Sequence, residues 1–363
     1  MTKKLGIGLV GASGWMAGAL AAGAEYLDGD LEKAVKHPHS VVTALCARNQ
    51  EILKERKQLW GLDQAELFSD YDEMLASPHV DAVIIAVPNH LHAGFALKAL
   101  EAGKHVFLEK PLAIHPKESA ALLKAAAASP LTTKVDYILV HYDEQQKLHG
   151  LIKQGAFGQL ASTHFTYRHP IQIGESADQQ WKLSKEISGG AIPMGICHAI
   201  SLTVYQADSD PVDVSCKSAP ALCREFDYAP RQDLIITFAN GVVSVVQGNI
   251  DFAEKYDARH NLCGTEGQFD YVPYNPRESR AMWSSQSMNR DYAPDPDFAN
   301  DHLDSGDVWE HQCASTVNEF VENAVKGIKD PLLGFESPLV QRTEAIIWAA
   351  ERSAAAGGDR IQL

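Results

Sequence analysis

Short apolar runs alternate with helical patterns through the first 140 residues of the chain. Leu5–Gly11, Val41–Ala47, Asp81–Val87, His105–Lys110 and Lys134–Val140 are dominated by Val, Ile, Leu and Ala, as in strands buried on both faces of a parallel sheet. Between them Glu51–Trp60, Tyr71–Ala76, His92–Ala102 and Lys117–Ala128 carry apolar residues at helical spacing. Strand and helix in alternation, joined by right-handed crossovers, predict a doubly wound α/β domain. Trp15–Ser40 is longer than a minimal crossover and ends in the loop-like His37-Pro38-His39, so an insertion is expected there.

After Val140 the period changes. Leu160–Arg168, Val212–Leu222, Asp233–Phe238, Val242–Ile250 and Asn261–Val272 read as longer, alternating strands, and helices are confined to Tyr142–Gln154, Gly189–Gln206, Val308–Lys326 and Ser337–Ala356. Asn240-Gly241 is a type I′ hairpin signal, because both residue types tolerate positive φ. The expectation is an open antiparallel sheet with helices on one face. A Rossmann-type domain would then span 1–140 and an α+β domain 141–363, with the C-terminal helices free to pack back on the first. Pro273–Asp307 is polar and rich in Pro, Asp and Ser, as a long loop or lid would be. The uncovered sheet face predicts a homodimer or homotetramer.

Length and charge narrow the picture. A chain of 363 residues suggests two domains. Its formal net charge of −15 disfavours nucleic acid and anionic membranes as partners. No apolar run reaches the roughly 18 residues that span a bilayer, and the start, Met1-Thr2-Lys3-Lys4-Leu5-Gly6, enters a strand at once without a signal peptide. Cysteines 46, 197, 216, 223, 263 and 313 are scattered without a C-x-x-C pair, which fits reduced thiols in a cytoplasm. No metal site is expected, since His302, Asp304 and His311 have no compact ligand spacing.

Candidate chemistry sits where strands end. Gly8-Leu9-Val10-Gly11-Ala12-Ser13-Gly14-Trp15-Met16-Ala17 closes a strand and opens a helix. Gly11 permits the tight turn, and Gly14 lets backbone approach a pyrophosphate at the helix N-terminus. Ser13 and Met16 take the second and third glycine places of the common fingerprint. The next strand ends Ala47-Arg48-Asn49, without the carboxylate that holds the ribose of NAD. Arg48 there suits the 2′-phosphate of NADP; as a solvated helix-start residue it would leave NAD open. Pro88 ends the following ladder. Asn89 and His92 face ribose and nicotinamide if the crevice lies there; otherwise Asn89 is a helix cap and His92 a surface residue. In Val106-Phe107-Leu108-Glu109-Lys110-Pro111 the strand delivers Lys110 to the carboxyl edge, where open α/β sheets bind ligands.

These segments, with Ala102-Gly103-Lys104-His105 and Gly264-Thr265-Glu266-Gly267, resemble the glucose–fructose oxidoreductase/inositol dehydrogenase/MocA family over nearly the whole chain. The resemblance implies NAD(P)-linked oxidation or reduction of a sugar or polyol, with Lys110 as the catalytic lysine positioned by Glu109 and Pro111. It also implies a glycine pair followed by Asp-x-x-x-His on a helix. Gly189-Gly190 and His198 match that motif, but Met194 stands where the aspartate belongs and cannot accept its hydrogen bond. His198 is then a second proton-transfer candidate, or a core histidine. Tyr142, Arg168, His169, Trp181 and Lys182, with Met194, are the candidates for the substrate pocket. Two rival readings remain: a glycosidase of the same fold using transient redox, and a nucleotide-binding regulator without turnover.

Overall fold

The computed structural model of the chain describes residues 4–14, 16–26, 29, 35–169, 171, 180–251, 257–271, 280–284, 292–294 and 313–363. They divide into two units, one within Met1–Ile138 and His311–Gln341, the other within Leu139–Glu310 and Arg342–Leu363.

In the first unit, β1 (Leu5–Val10), β2 (Ser40–Cys46), β3 (Glu66–Phe68), β4 (Ala82–Ile85), β5 (His105–Leu108) and β6 (Thr133–Val135) form a parallel sheet in the order β3-β2-β1-β4-β5-β6. The order reverses between β1 and β4, the switch point outside which such sheets bind ligands. β4 is wholly buried and β1 nearly so, which accounts for their unbroken apolar runs. Helices α1 (Ala17–Glu25), α2 (Gln50–Leu59), α3 (Tyr71–Ala76), α4 (His92–Glu101) and α5 (Pro116–Ala128) are the crossovers.

Two expectations change. A sixth strand, β3, lies at the sheet edge; three residues with Glu66 exposed are too few to show a period. The apolar run from Lys134 leaves the sheet at Val135, and Ile138–His141 is a 3₁₀ turn. In the expected insertion, Glu25 ties the returning chain to β2. Its carbonyl accepts His37 N–H at 2.8 Å, and its carboxylate accepts Val42 N–H at 2.6 Å and Lys36 Nζ at 2.9 Å. The helix Cys313–Lys326 completes this unit. A Cβ at Gly23 of α1 would lie 3.0 Å from Ala314 Cα, and Phe320 meets Phe107 of β5 edge-on at 5.7 Å.

The second unit holds a nine-stranded sheet ordered β14-β13-β12-β11-β7-β10-β9-β8-β15. Its strands are β7 (Leu160–Arg168), β8 (Pro211–Ala219), β9 (Arg231–Phe238), β10 (Val243–Asn249), β11 (His260–Gly264), β12 (Gly267–Tyr271), β13 (Arg280–Ser284), β14 (Tyr292–Pro294) and β15 (Ile361–Gln362). The sheet is mixed rather than wholly antiparallel, because β7 and β10 run parallel. A helical crossover returns the chain at β8 in the direction of β7, and two antiparallel steps then bring β10 alongside. Helix Cys197–Ala207 is buried along its length, whereas β9 and β10 leave Ile235, Val243 and Val245 exposed on the other face.

The β9–β10 hairpin forms, but not with a type I′ turn. Only Gly241 has positive φ (89°). Gly241 N–H donates to Phe238 O at 2.9 Å, and Asn240 Oδ1 accepts Val242 N–H at 3.2 Å. This is a longer loop with the left-handed residue after the turn. The single strand expected over Asn261–Val272 is a hairpin turning at Thr265-Glu266. Within the expected loop Pro273–Asp307, residues 280–284 and 292–294 extend the sheet as β13 and β14. The segment Lys185–Ala207 does reach membrane-span length with mean hydropathy 1.4, but 94% of that window is buried inside the protein; it is a core element.

Candidate active site

The turn after β1 is built on glycine. Gly11 has φ 81°, and a Cβ there would lie 2.3 Å from Ala86 O, just beyond β4. Its N–H donates to Cys46 O at 3.0 Å, and Gly14 N–H donates to Gly11 O at 2.8 Å. A Cβ on Gly14 would also crowd Ala86 O, at 3.2 Å. The loop is therefore pressed onto the ends of β1, β2 and β4 at the switch point. Ser13 is exposed and Met16 half-buried. Met16 precedes α1 without a side-chain cap, and the first turn of α1 has no acidic residue. Its free N–H groups and positive helix end fit a dinucleotide pyrophosphate. Trp15 lies outside the described residues.

At the end of β2, Ala47 and the exposed Arg48 precede α2. Asn49 Oδ1 caps that helix, accepting Glu51 N–H at 3.1 Å and Ile52 N–H at 3.2 Å. Arg48 is thus held at a fixed point on the sheet edge, with no carboxylate at 47 or 49.

After β4 and Pro88, Asn89 is buried in the 3₁₀ turn Asn89–Leu91, which leads into α4. His92 departs from expectation. Its ring is 1% exposed, with Nδ1 2.6 Å from Pro111 O and Nε2 2.9 Å from Val87 O. Burial pushes its pKa down to about 4, against the pull of those two carbonyls. The neutral ring donates its one N–H to one carbonyl and fills the space between the chain after β4 and the chain after β5, so neither nitrogen is turned toward a cofactor. Spacing alone did not reveal carbonyl partners from two separate strands.

β5 ends in the expected triad of residues. Glu109 is buried and Lys110 half-buried, and the Lys110–Pro111 peptide is cis. Glu109 Oε2 accepts the Lys110 N–H at 3.2 Å. The Lys110 charge acts on Glu109, Asp136 and His92. Asp136, following β6, was not among the expected site residues. It ends its strand as Glu109 ends β5, a carboxylate at the carboxyl edge, and that parallel is the signal in the sequence. Behind it Lys134 is fully buried, with Nζ 2.7 Å from Asp330 and 2.5 Å from Glu319.

In the second unit, the glycine pair separates two helical segments. Gly189 (φ 85°) ends Lys185–Ser188 in the left-handed conformation, and Gly190 follows at φ 93°. Ile192–Ile196 is then a π turn, entering the α-helix Cys197–Ala207. Met194 and His198 are separated by that wider turn, so the α-helical spacing expected of them does not apply. Both are buried, at 5% and 7% exposure. Tyr167 brings two candidates together: its ring centroid is 6.1 Å from that of His198, and its hydroxyl is 3.3 Å from His169 Nδ1. Arg168 Nη2 donates to Gln247 Oε1 at 3.1 Å. Tyr142 is buried and precedes α6 (Asp143–Lys153). Trp181 and Lys182 are half-buried in a 3₁₀ turn, where Lys182 O accepts the Tyr228 hydroxyl at 2.8 Å. Among the described residues no group of three His, Cys, Asp or Glu is arranged around a metal position; His302, Asp304 and His311 lie outside them.

Residues 5–137 match the model of an oxidoreductase family with an NAD-binding Rossmann fold, and residues 145–270 match a GFO/IDH/MocA C-terminal domain. Levoglucosan dehydrogenase of Pseudarthrobacter phenanthrenivorans is 31% identical over 158 residues, 43% of this chain and 40% of that protein. A Streptomyces violaceoruber protein named dTDP-3,4-didehydro-2,6-dideoxy-alpha-D-glucose 3-reductase is 32% identical over 43% of each chain. The matched segment thus spans less than half the length of these two relatives. An uncharacterized oxidoreductase of Bacillus subtilis is 26% identical over 74% of this chain and 73% of its own. Among solved structures, a levoglucosan dehydrogenase complex with NADH and levoglucosan superposes with TM-score 0.83 at 22% identity over 99% of both chains. A Caulobacter crescentus aldose–aldose oxidoreductase complexed with glycerol gives 0.78 at 20%, over 99% of this chain and 100% of that one.

Proposed function

The chain belongs to the GFO/IDH/MocA oxidoreductase family and has its NAD-binding Rossmann unit; from that premise we propose that it moves hydride between a nicotinamide cofactor and a secondary hydroxyl or carbonyl of a sugar or polyol. The observation that carries the reading is Lys110, an amine on the carboxyl end of β5, in the same sheet as the Gly11–Gly14 turn. When bound, the nicotinamide accepts or returns the hydride. Lys110 Nζ takes the hydroxyl proton in oxidation and gives it back in reduction. Glu109 holds the Lys110 backbone, and His92 fixes the segments on either side. His198 enters as a second proton-transfer group on the strength of the family motif. Arg168, His169, Trp181, Lys182 and Tyr142 are the substrate-binding candidates, an aromatic face and polar tips suiting a sugar ring.

NADP is the preferred cofactor in this reading, because Arg48 stands exposed where a carboxylate would otherwise hold the ribose. The exposed apolar residues of β9 and β10 support a dimer or tetramer through the open sheet face. Six free thiols support a reducing, cytoplasmic setting.

A screen of sugars and polyols with both cofactors, read as stoichiometric reduction of NADP or NAD, tests the activity. Lys110→Ala is expected to lower kcat by roughly 10²- to 10⁴-fold, the usual worth of general acid–base catalysis, while cofactor binding persists. Unchanged turnover in that variant overturns the assignment.

A further inference from the structure

Leu108 and Val135 face each other in the parallel register of β5 and β6, so Glu109 and Asp136 leave the sheet side by side. Their backbones are fixed: Asp136 N–H donates to Leu108 O at 2.9 Å and Glu109 N–H to Ile85 O at 3.0 Å. Both side chains are buried, at 7% and 2% exposure. Glu109 Oε2 accepts the Lys110 N–H. Among the described residues Glu109 Oε1 and Asp136 Oδ1 meet no donor, and the charge of Glu109 acts on Asp136. Two carboxylates are acceptors only, so these neighbouring buried oxygens can bond each other once one of them carries a proton.

The surroundings cannot balance two charges. Among the described residues Lys110 and Lys134 are the cations acting on the pair, and Lys134 is already committed to Asp330 and Glu319. The Cys313 thiol is pushed well up, first by burial and then by Asp136 and Glu109, and stays neutral. The Thr316 hydroxyl has one proton to share between Cys313 O, at 3.1 Å, and Asp136. Burial raises both carboxyls above their ordinary range; the Glu109 charge raises Asp136 further, while Lys110 pulls each back. One proton shared by like charges is the physical outcome in such a site.

We propose that Glu109 and Asp136 hold a single proton between them near neutral pH, so that Lys110 faces one negative charge spread over two carboxyls and Asp136 is a positioning residue for the lysine. The catalytic consequence rests on the role given to Lys110 above; the protonation state does not.

Infrared spectra of the purified protein at pH 7, without added substrate, are expected to contain a protonated-carboxyl band that Asp136→Asn and Glu109→Gln each remove. A wild-type spectrum without the band, or one retained in both variants, overturns the proposal. Urea unfolding across pH gives a second reading. Above the ordinary carboxylate range, about pH 4, the folded wild type keeps a proton that the unfolded chain has released. Its folding constant should therefore fall by up to tenfold per pH unit until the raised value of the pair is passed. Asp136→Asn supplies an amide N–H in place of the proton and should lack that slope; equal slopes sink the idea. In turnover, Asp136→Asn preserves the charge facing Lys110 and should leave the midpoint of the pH profile in place, whereas the double variant with Glu109→Gln should move it to lower pH. A shift in the single variant as large as in the double argues for two full charges. Failure of the redox assignment leaves the infrared and unfolding results standing, so the two failures are distinguishable.

Discussion

Arg48 stands exposed one residue before the Asn49 cap of α2, and its charge is the simplest feature to test at the scale of a single residue. A charge-assisted hydrogen bond to a 2′-phosphate is worth about 1.5–3 kcal/mol, roughly 10- to 100-fold in affinity. Arg48→Asp should move the ratio of kcat/KM for NADP over NAD toward NAD by that factor; a ratio that does not move removes Arg48 from cofactor choice. Lys110 was legible because a lysine ending an apolar strand is conspicuous in any sequence. His92 was not, since its partners are backbone carbonyls that sequence does not display. Asp136 was overlooked because the apolar residues after it prolong the strand pattern past the point where the chain leaves the sheet.

The same contrast recurs among the elements. α3 and β7 occupy the segments that periodicity assigns them. The π turn before His198 is invisible to a 3.6-residue period, and β3 is too short to have one. Lys134 shows why a polar strand residue can be misread: its partners lie 185 and 196 residues away. A buried ammonium is tolerable only when its desolvation is offset by good geometry, and two carboxylates provide it here. Burial raises the Asp330 carboxyl, but Lys134 and the backbone N–H groups of Leu333 and Leu332 outweigh that and hold its pKa below the ordinary value. Its stabilising contribution is therefore present above the unfolded pKa, about 4, and lost as pH falls through the depressed folded value. Asp330→Asn should cost roughly 2–3 kcal/mol at pH 7, a charge-assisted hydrogen bond with Glu319 still in place. The gap to wild type should narrow in urea unfolding as pH falls below 4; a gap independent of pH contradicts the ion pair.

At the scale of the whole molecule, the proposed assembly through the open face of the nine-stranded sheet has a direct test. Val245 of β10 pairs with Ile235 of β9, and both are exposed, so the apolar positions are contiguous. Sedimentation at micromolar concentration should give a dimer or tetramer, from protein recovered in the cytosolic fraction; a monomer alone, or recovery outside that fraction, overturns these assignments. The fold class was written in the sequence, because strand and helix periods, glycine turns and buried runs are local properties that survive being read one residue at a time. So was the placing of Lys110 at a strand end. Only the folded chain decided that β10 runs parallel to β7, that His92 closes on two carbonyls, and that Asp136 lies beside Glu109. Each of those depends on contacts between strands, and a contact across a sheet has no signature along the chain.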